Sequence, residues 1–239
     1  MTETLFRSDA YARTCEAYVT AVNDRGGIIL DRTILYASAG GQPGDIGALT
    51  WEGGVCRIAA TVYDTDKTTI VHVPAEGSTI PAPGLPVVVT LDWDTRHKYM
   101  RVHTALHLLC SLVHWPVTGG QIGAEEGRLD FDIADMTGID KDTLTAKLNE
   151  LVDADHPVTT RWITDAELEA APHLVRTMSV KPPMGSGKVR LVAIGVDGKI
   201  DLQPCGGTHV AHTGEIGRLS VVKIESKGKQ NRRIRVALV

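Results

Sequence analysis

The spacing of apolar residues changes near residue 94. Before it, Val, Ile, Leu and Ala come in short runs separated by Gly, Pro, Asn and Asp. That is the pattern of strands joined by tight turns. Residues 17–22 and 28–31 read as two strands joined by Asn23-Asp24-Arg25-Gly26-Gly27, with further strands over 53–63, 69–73 and 86–91. A small barrel or sandwich fits this half. From Asp94 the period lengthens. Met100, His103, Ala105, Leu106, Leu109 and Cys110 predict a helix capped by Asp94 or Thr95 and running to about 113. A second helix is expected over 140–155, with Leu144, Leu148 and Leu151 inward, and a short one over 165–171. Strands are expected over 128–133, 160–162, 189–196, 219–225 and 233–239. The expected fold is α+β, with a β-rich domain over 1–93 and an α+β domain over 94–239.

Composition narrows this picture in a few places. With 239 residues there is room for one large domain or two modest ones. Aromatic residues are only 5%, so the core must be aliphatic. A net charge of −4 means that any nucleic-acid surface is a local patch. Four scattered cysteines (Cys15, Cys56, Cys110, Cys205) read as reduced thiols of an intracellular protein rather than a disulfide framework. No apolar run reaches the roughly 18 residues of a membrane span. Met1-Thr2-Glu3-Thr4-Leu5 is not a signal peptide. Cytoplasm is therefore expected, with no membrane and no stable protein partner implied.

Two residue pairs carry the chemistry. His103 and His107 are four apart on the expected helix, so they share a face and can hold one ion. Cys205 and His209 repeat the spacing in Cys205-Gly206-Gly207-Thr208-His209, where the glycines suggest a tight turn feeding a short helix. Three imidazoles and a thiolate form a zinc ligand set. Each pair alone also has a plain reading, as packed or solvated histidines and a buried cysteine. Position 104 is Thr, so the general-base glutamate of the HExxH zinc proteases is absent.

At these residues the chain resembles a known family. His-Thr-Ala-Leu-His-Leu-Leu at 103–109 and Cys-Gly-Gly-Thr-His-Val at 205–210 are similar to the paired signatures of the alanyl-tRNA synthetase editing domain and of the free-standing alanyl-tRNA editing proteins, the AlaX family. The glycine-rich segment 30–47, with Gly40-Gly41-Gln42-Pro43-Gly44, resembles that family's N-terminal motif, and 128–131 and 226–235 also agree. The resemblance covers nearly the whole chain. Leu35-Tyr36-Ala37 and Ala39-Gly40-Gly41 depart from the family's Phe-Tyr-Pro or Phe-Tyr-Ala and its three glycines, which bears on the shape of the amino-acid pocket. The chain has no room for an aminoacylation domain.

The resemblance implies a barrel-like N-terminal domain followed by an α+β editing domain of the threonyl/alanyl-tRNA synthetase second-additional-domain type. It implies a trans-editing hydrolase that deacylates mischarged Ser-tRNA(Ala), and Gly-tRNA(Ala) as a possible second substrate, with zinc on His103, His107, Cys205 and His209. Its partner is tRNA(Ala) carrying the wrong amino acid. Gln121 is the candidate catalytic residue, its amide holding the ester oxygen or the attacking water; a glutamine on a surface turn is the other reading. Gly40, Gly41 and Gln42 are candidates for approach to the terminal adenosine, and Thr33 for the seryl hydroxyl, though a strand threonine explains it too. Candidate RNA contacts are Arg96, Lys98 and Arg101, then Lys227, Lys229, Arg232 and Arg233 around Gly228. Two other readings stay open: an RNA-binding module with a structural zinc and no hydrolysis, and a zinc hydrolase of small esters or amides.

Overall fold

The computed structural model describes residues 2–134, 137, 139–177, 187–228 and 230–239. The chain divides into two compact units, Met1–His97 and Lys98–Val239.

The first unit is a barrel. Its strands are β1 (Glu3–Thr4), β2 (Thr14–Val22), β3 (Ile28–Leu30), β4 (Arg32–Thr33), β5 (Gly47–Trp51), β6 (Gly54–Tyr63), β7 (Ile70–Pro74) and β8 (Pro86–Leu91). Six of them close in the order β2-β3-β7-β6-β5-β8, with every neighbouring pair antiparallel. Closure leaves no open sheet edge. The two short strands β1 and β4 pair in parallel. Alternation places Ala17, Val19, Leu49, Cys56, Ile58, Val87 and Val89 inside, an aliphatic core as the scarcity of aromatics requires. The β2–β3 turn is held by Asn23, whose Oδ1 accepts from Arg25 N at 3.1 Å and Gly27 N at 2.8 Å. The sequence pattern did not predict β5. It lies at the tail of the glycine-rich segment, and Leu49 is its only fully buried side chain.

Helix α1 (Trp93–Leu112) begins in the first unit and continues in the second. Its cap is Asp92, not Asp94 or Thr95: Asp92 Oδ1 accepts from Thr95 N at 3.0 Å, the bond from an N-cap to the third helical residue. Every residue from Val102 to Cys110 is buried, so the helix is a core element rather than an amphipathic surface helix.

The remaining elements are β9 (Val117–Ile122), β10 (Glu126–Asp132), α2 (Lys141–Asp153), β11 (Val158–Ile163), α3 (Asp165–Glu169), β12 (Val189–Ile194), β13 (Asp201–Pro204), β14 (Leu219–Ser226) and β15 (Asn231–Leu238). They make two antiparallel sheets, β14-β15-β10-β9 and β11-β12-β13. Gly127 lets β10 press on α1: a Cβ there would lie 2.6 Å from Val102 Cγ1. Asp140 caps α2 by accepting from Thr143 N. Leu144, Leu148 and Val152 form its buried stripe, while Leu151, expected inward, is half-buried. The i, i+4, i+8 row therefore carries the packing. The α+β expectation and the barrel-like N-terminal part agree with this architecture. Among the described residues no helix is long and apolar enough to cross a membrane.

Candidate metal centre

Helix α1 supplies His103 and His107 one turn apart. Strand β13 runs directly into Cys205, and the chain then passes through Gly206 and Gly207 to His209. The expected short helix after the glycines is absent here. The 205–210 stretch is irregular, and a 3-10 turn (Thr213–Ile216) comes only later. What fixes the loop is Arg190 of β12, whose Nη1 donates to Cys205 O at 3.0 Å and to Gly207 O at 2.9 Å.

The four donor atoms lie within 4.8 Å of one another. Cys205 Sγ is 3.5 Å from His103 Nε2 and 3.3 Å from His209 Nε2. Around a tetrahedral zinc with bonds of about 2.0–2.3 Å, ligand atoms sit about 3.3–3.8 Å apart. The two distances to Cys205 Sγ fall in that range, and the whole set lies within 4.8 Å. The three histidines are 5–8% exposed; Cys205 is half-buried and Gly206 exposed.

A second layer sets the tautomers. His107 Nδ1 donates to Asp201 Oδ2 at 2.7 Å, and Gln203 Nε2 donates to the same oxygen at 2.8 Å. Asp201 and Gln203 alternate on β13 and are both buried. Thr104 donates its hydroxyl to Met100 O at 2.9 Å, so its oxygen accepts from His209 Nδ1 at 3.2 Å. In both rings Nδ1 carries the proton and Nε2 is left as the metal-binding atom. The residue standing where the zinc proteases keep a base is thus a hydroxyl that orients the His209 ring.

Electrostatics fit the same role. Burial opposes charge on Cys205, but the His103 and His209 imidazoles beside it outweigh that and hold the thiol well below its ordinary range. Burial, with His103 alongside, pushes His209 well below the imidazole range. Burial also works downward on His107, yet the Asp201 hydrogen bond and Cys205 override it and carry the imidazole up to about 10. Thiolate and neutral imidazole are the forms a metal takes.

The other sequence candidates fall in several places. Gln121 is a strand residue on β9, exposed, its Oε1 accepting from Arg128 Nε at 3.2 Å. Arg101 donates from Nε to Ile216 O at 2.8 Å. Lys98 pairs with Glu125. Lys227 is exposed in the β14–β15 connection, where Arg232 Nη1 donates to Gly228 O at 3.0 Å. Arg233 is held by Asp130 through two bonds of 2.7 Å. Lys229 lies outside the described residues. Arg96, read from sequence as an RNA contact, is corrected: it is fully buried in the first unit, bonded to Asp45, to Ala10 O at 2.9 Å and to Ile34 O at 2.6 Å. In that unit Gly40 and Gly41 are the exposed centre of a tight turn between Ala39 and Gln42, with φ of 58° and 83°. Positive φ at both positions is the type I′ signature and explains the glycines. Gln42 is buried. Thr33 is fully buried; its hydroxyl lies 2.9 Å from His72 Nε2 and accepts from Leu35 N at 3.0 Å. Sequence reasoning missed Asp201, Gln203 and Arg190. The only signal was the Asp-x-Gln alternation immediately before Pro204-Cys205.

Residues 189–235 match the family model for the threonyl and alanyl tRNA synthetase second additional domain, and residues 10–95 that for class II (A) tRNA synthetases. The protein is 34% identical to an alanyl-tRNA editing protein AlaX-M of Methanosarcina acetivorans over the full length of both chains. It is 31% identical to the AlaX-M protein of Saccharolobus solfataricus over 98% of each chain. An alanine–tRNA ligase of Pyrobaculum calidifontis is 37% identical over 94% of this chain, which spans 25% of the ligase. The full-length likeness, carried on a fold that brings the His103–His107 and Cys205–His209 pairs together, shows that the chain belongs to the alanyl-tRNA editing protein family.

Proposed function

We propose that the protein is a zinc-dependent trans-editing deacylase that hydrolyses the ester of mischarged Ser-tRNA(Ala), with Gly-tRNA(Ala) as second substrate. The observation that carries this is the buried three-histidine, one-cysteine set within 4.8 Å, in a chain whose full-length relatives are named alanyl-tRNA editing proteins. Such a reaction has a physical rationale. A synthetic pocket for alanine cannot strongly reject glycine or a residue larger by one hydroxyl, so a second, hydrolytic site is needed. When bound, zinc supplies Lewis acidity toward the ester carbonyl or a coordinated water.

The protein's own groups do the rest. Asp201 and Thr104 hold two imidazoles in the ligating tautomer, and Arg190 fixes the Cys205–Gly207 backbone at the exposed side of the centre. Gln121, exposed on β9, offers a neutral amide for the ester oxygen or water. Gly40 and Gly41 offer bare backbone to the RNA end, and Arg101, Lys227 and Arg232 supply positive charge for its phosphates. Cytoplasmic location follows from this reading, since charged tRNA is the substrate.

A second reading has one observation behind it. Four protein donors complete a tetrahedron, the pattern of structural zinc. The protein would then be an RNA-binding module without hydrolytic activity. The deciding experiment charges tRNA(Ala) separately with serine, glycine and alanine and measures release with and without chelator. Release of serine, sparing of alanine and loss with chelator are expected. Equal turnover of serine and alanine would overturn the specificity. Metal-loaded protein that binds RNA but cleaves no ester would establish the second reading.

A further inference from the structure

Cross-strand partners point to the same face of a sheet. In the sheet β11-β12-β13 the rows are Val158–Ile194–Asp201, Thr160–Val192–Gln203 and Trp162–Arg190. Cys205 N donates to Arg190 O at 3.1 Å and extends the last row into the metal-binding loop. Asp201 and Gln203 touch His107, so this face is the one turned toward the centre. Under β12 and β13 it is sealed: Ile194 and Val192 are fully buried, and Arg190, Asp201 and Gln203 nearly so. At β11 it opens. Thr160 is exposed, and the Trp162 indole is 48% exposed.

The centre is exposed where that last row continues. Its histidines are buried, while Cys205 is half-buried and Gly206 exposed. A Cβ built on Gly206 would meet no atom within 4 Å. Adjacent strands are about 4.8 Å apart, so two strand spacings put the Trp162 backbone about 10 Å from that of Cys205. Strands β11 and β12 carry no acidic residue; of their two basic residues Arg190 shares this face and Arg161 lies on the other. A single exposed apolar side chain needs no explanation in general. This one lies in the Cys205 row, at the open rim of the centre, on acid-free strands.

We propose that Trp162 is the stacking platform for the unpaired terminal nucleobase of the RNA whose ester is presented at the Cys205 side of the centre. The proposal rests on the deacylase reading and adds the group that would hold the substrate's last nucleotide. An indole accepts any base through its π-face, and stacking of this kind suits unpaired RNA ends. The base and the esterified hydroxyl of a terminal nucleotide are separated by one ribose. A platform at the rim holds the base while the ester reaches the centre.

The test uses zinc-loaded full-length protein and an uncharged RNA hairpin with a single-stranded 3′ end, terminating either in adenosine or in an abasic ribose. Wild type should bind the adenosine form about 10- to 100-fold more tightly, the range of one base–aromatic stack. Trp162→Ala should lose that preference at unchanged zinc content, and Trp162→Tyr should restore most of it. A wild type indifferent to the terminal base, or a preference that survives in Trp162→Ala, overturns the proposal. Because the RNA is uncharged, the two readings separate. Base-dependent binding without serine release would sink the deacylase alone, and serine release without base-dependent binding would sink the platform alone.

Discussion

Each unit buries a polar cluster, and the two clusters are satisfied in different ways. In the barrel, Arg96 and Asp45 are both almost completely buried and close on each other. The guanidinium spends its remaining donors on Ala10 O and Ile34 O, and Asp45 Oδ2 also accepts from Tyr36 N at 2.6 Å. Opposite charges and these hydrogen bonds turn the cluster's polar groups onto one another. In the second unit the outer hydrogen bonds are equally complete, on Asp201 and Thr104, but the inner atoms are three imidazole nitrogens and a sulfur converging on one point. Such a convergence of electron-pair donors could hold a metal ion. Burial of polar groups alone therefore does not mark a site; the direction in which their lone pairs point does.

The contrast breaks most completely under ligand removal. His103→Ala combined with Cys205→Ala should abolish zinc retention, measured as metal per chain after dialysis, while the barrel cluster is untouched. Retention of stoichiometric zinc would show that the four donors are not the site. Next in size, Arg96→Met strands Asp45 without its partner and should cost about 3–5 kcal/mol in urea unfolding. Replacing Asp45 by Leu as well should recover much of the loss, as expected of a purely structural pair. A full loss that persists in the double variant would argue against that role.

Smaller still, Asp201→Asn should weaken zinc binding about 10- to 100-fold in chelator competition, because the amide can turn its NH2 toward His107 Nδ1 and disturb the tautomer. Thr104→Val should act in the same direction through His209, and Thr104→Ser should not. Affinity unchanged in both Asp201→Asn and Thr104→Val would mean that the second layer does not tune the centre.

A pH test sets a barrel histidine beside the histidines of the centre. His72 is fully buried, donating from Nδ1 to Ile28 O at 3.1 Å and facing the Thr33 hydroxyl with Nε2. Burial lowers it to about 4, against an ordinary 6.5. The unfolded chain therefore binds the extra proton first. The stability contributed by neutral His72 is complete above pH 6.5 and is lost as pH falls from 6.5 toward 4, at no more than about 1.4 kcal/mol per pH unit. Unfolding of the zinc-loaded protein across this range, compared with His72→Gln, should show the slope flattening in the variant.

Parts of this molecule could be read directly from the chain. Alternation and turn residues located β2, β6, β7 and β8 to within a few residues, because a strand with one buried face writes a period of two into its sequence. Strands β9 and β13 left no such trace. Thr118-Gly119-Gly120-Gln121 has the composition of a turn, and β13 is four residues whose inward side chains are Asp201 and Gln203. Their strand conformation comes from pairing with β10 and β12, which no local pattern records. The basic residues show the same limit. Arg96 and Arg101 look alike in sequence and both lie on α1, yet Arg96 is fully buried and Arg101 half-buried.

The site divides along the same line. His103 and His107 share a face in any fold that makes this stretch a helix, since 3.6 residues per turn decides it locally. The residue types, three imidazoles and a thiol, likewise name the chemistry without a structure. Bringing Cys205 across 102 residues to His103 required β13 to pair with β12 and Arg190 to hold the loop carbonyls. Choosing Nε2 as the ligating atom required Asp201 and Thr104 to arrive from elsewhere in the chain. Those contacts exist only once a core has formed, so tertiary packing alone could decide them.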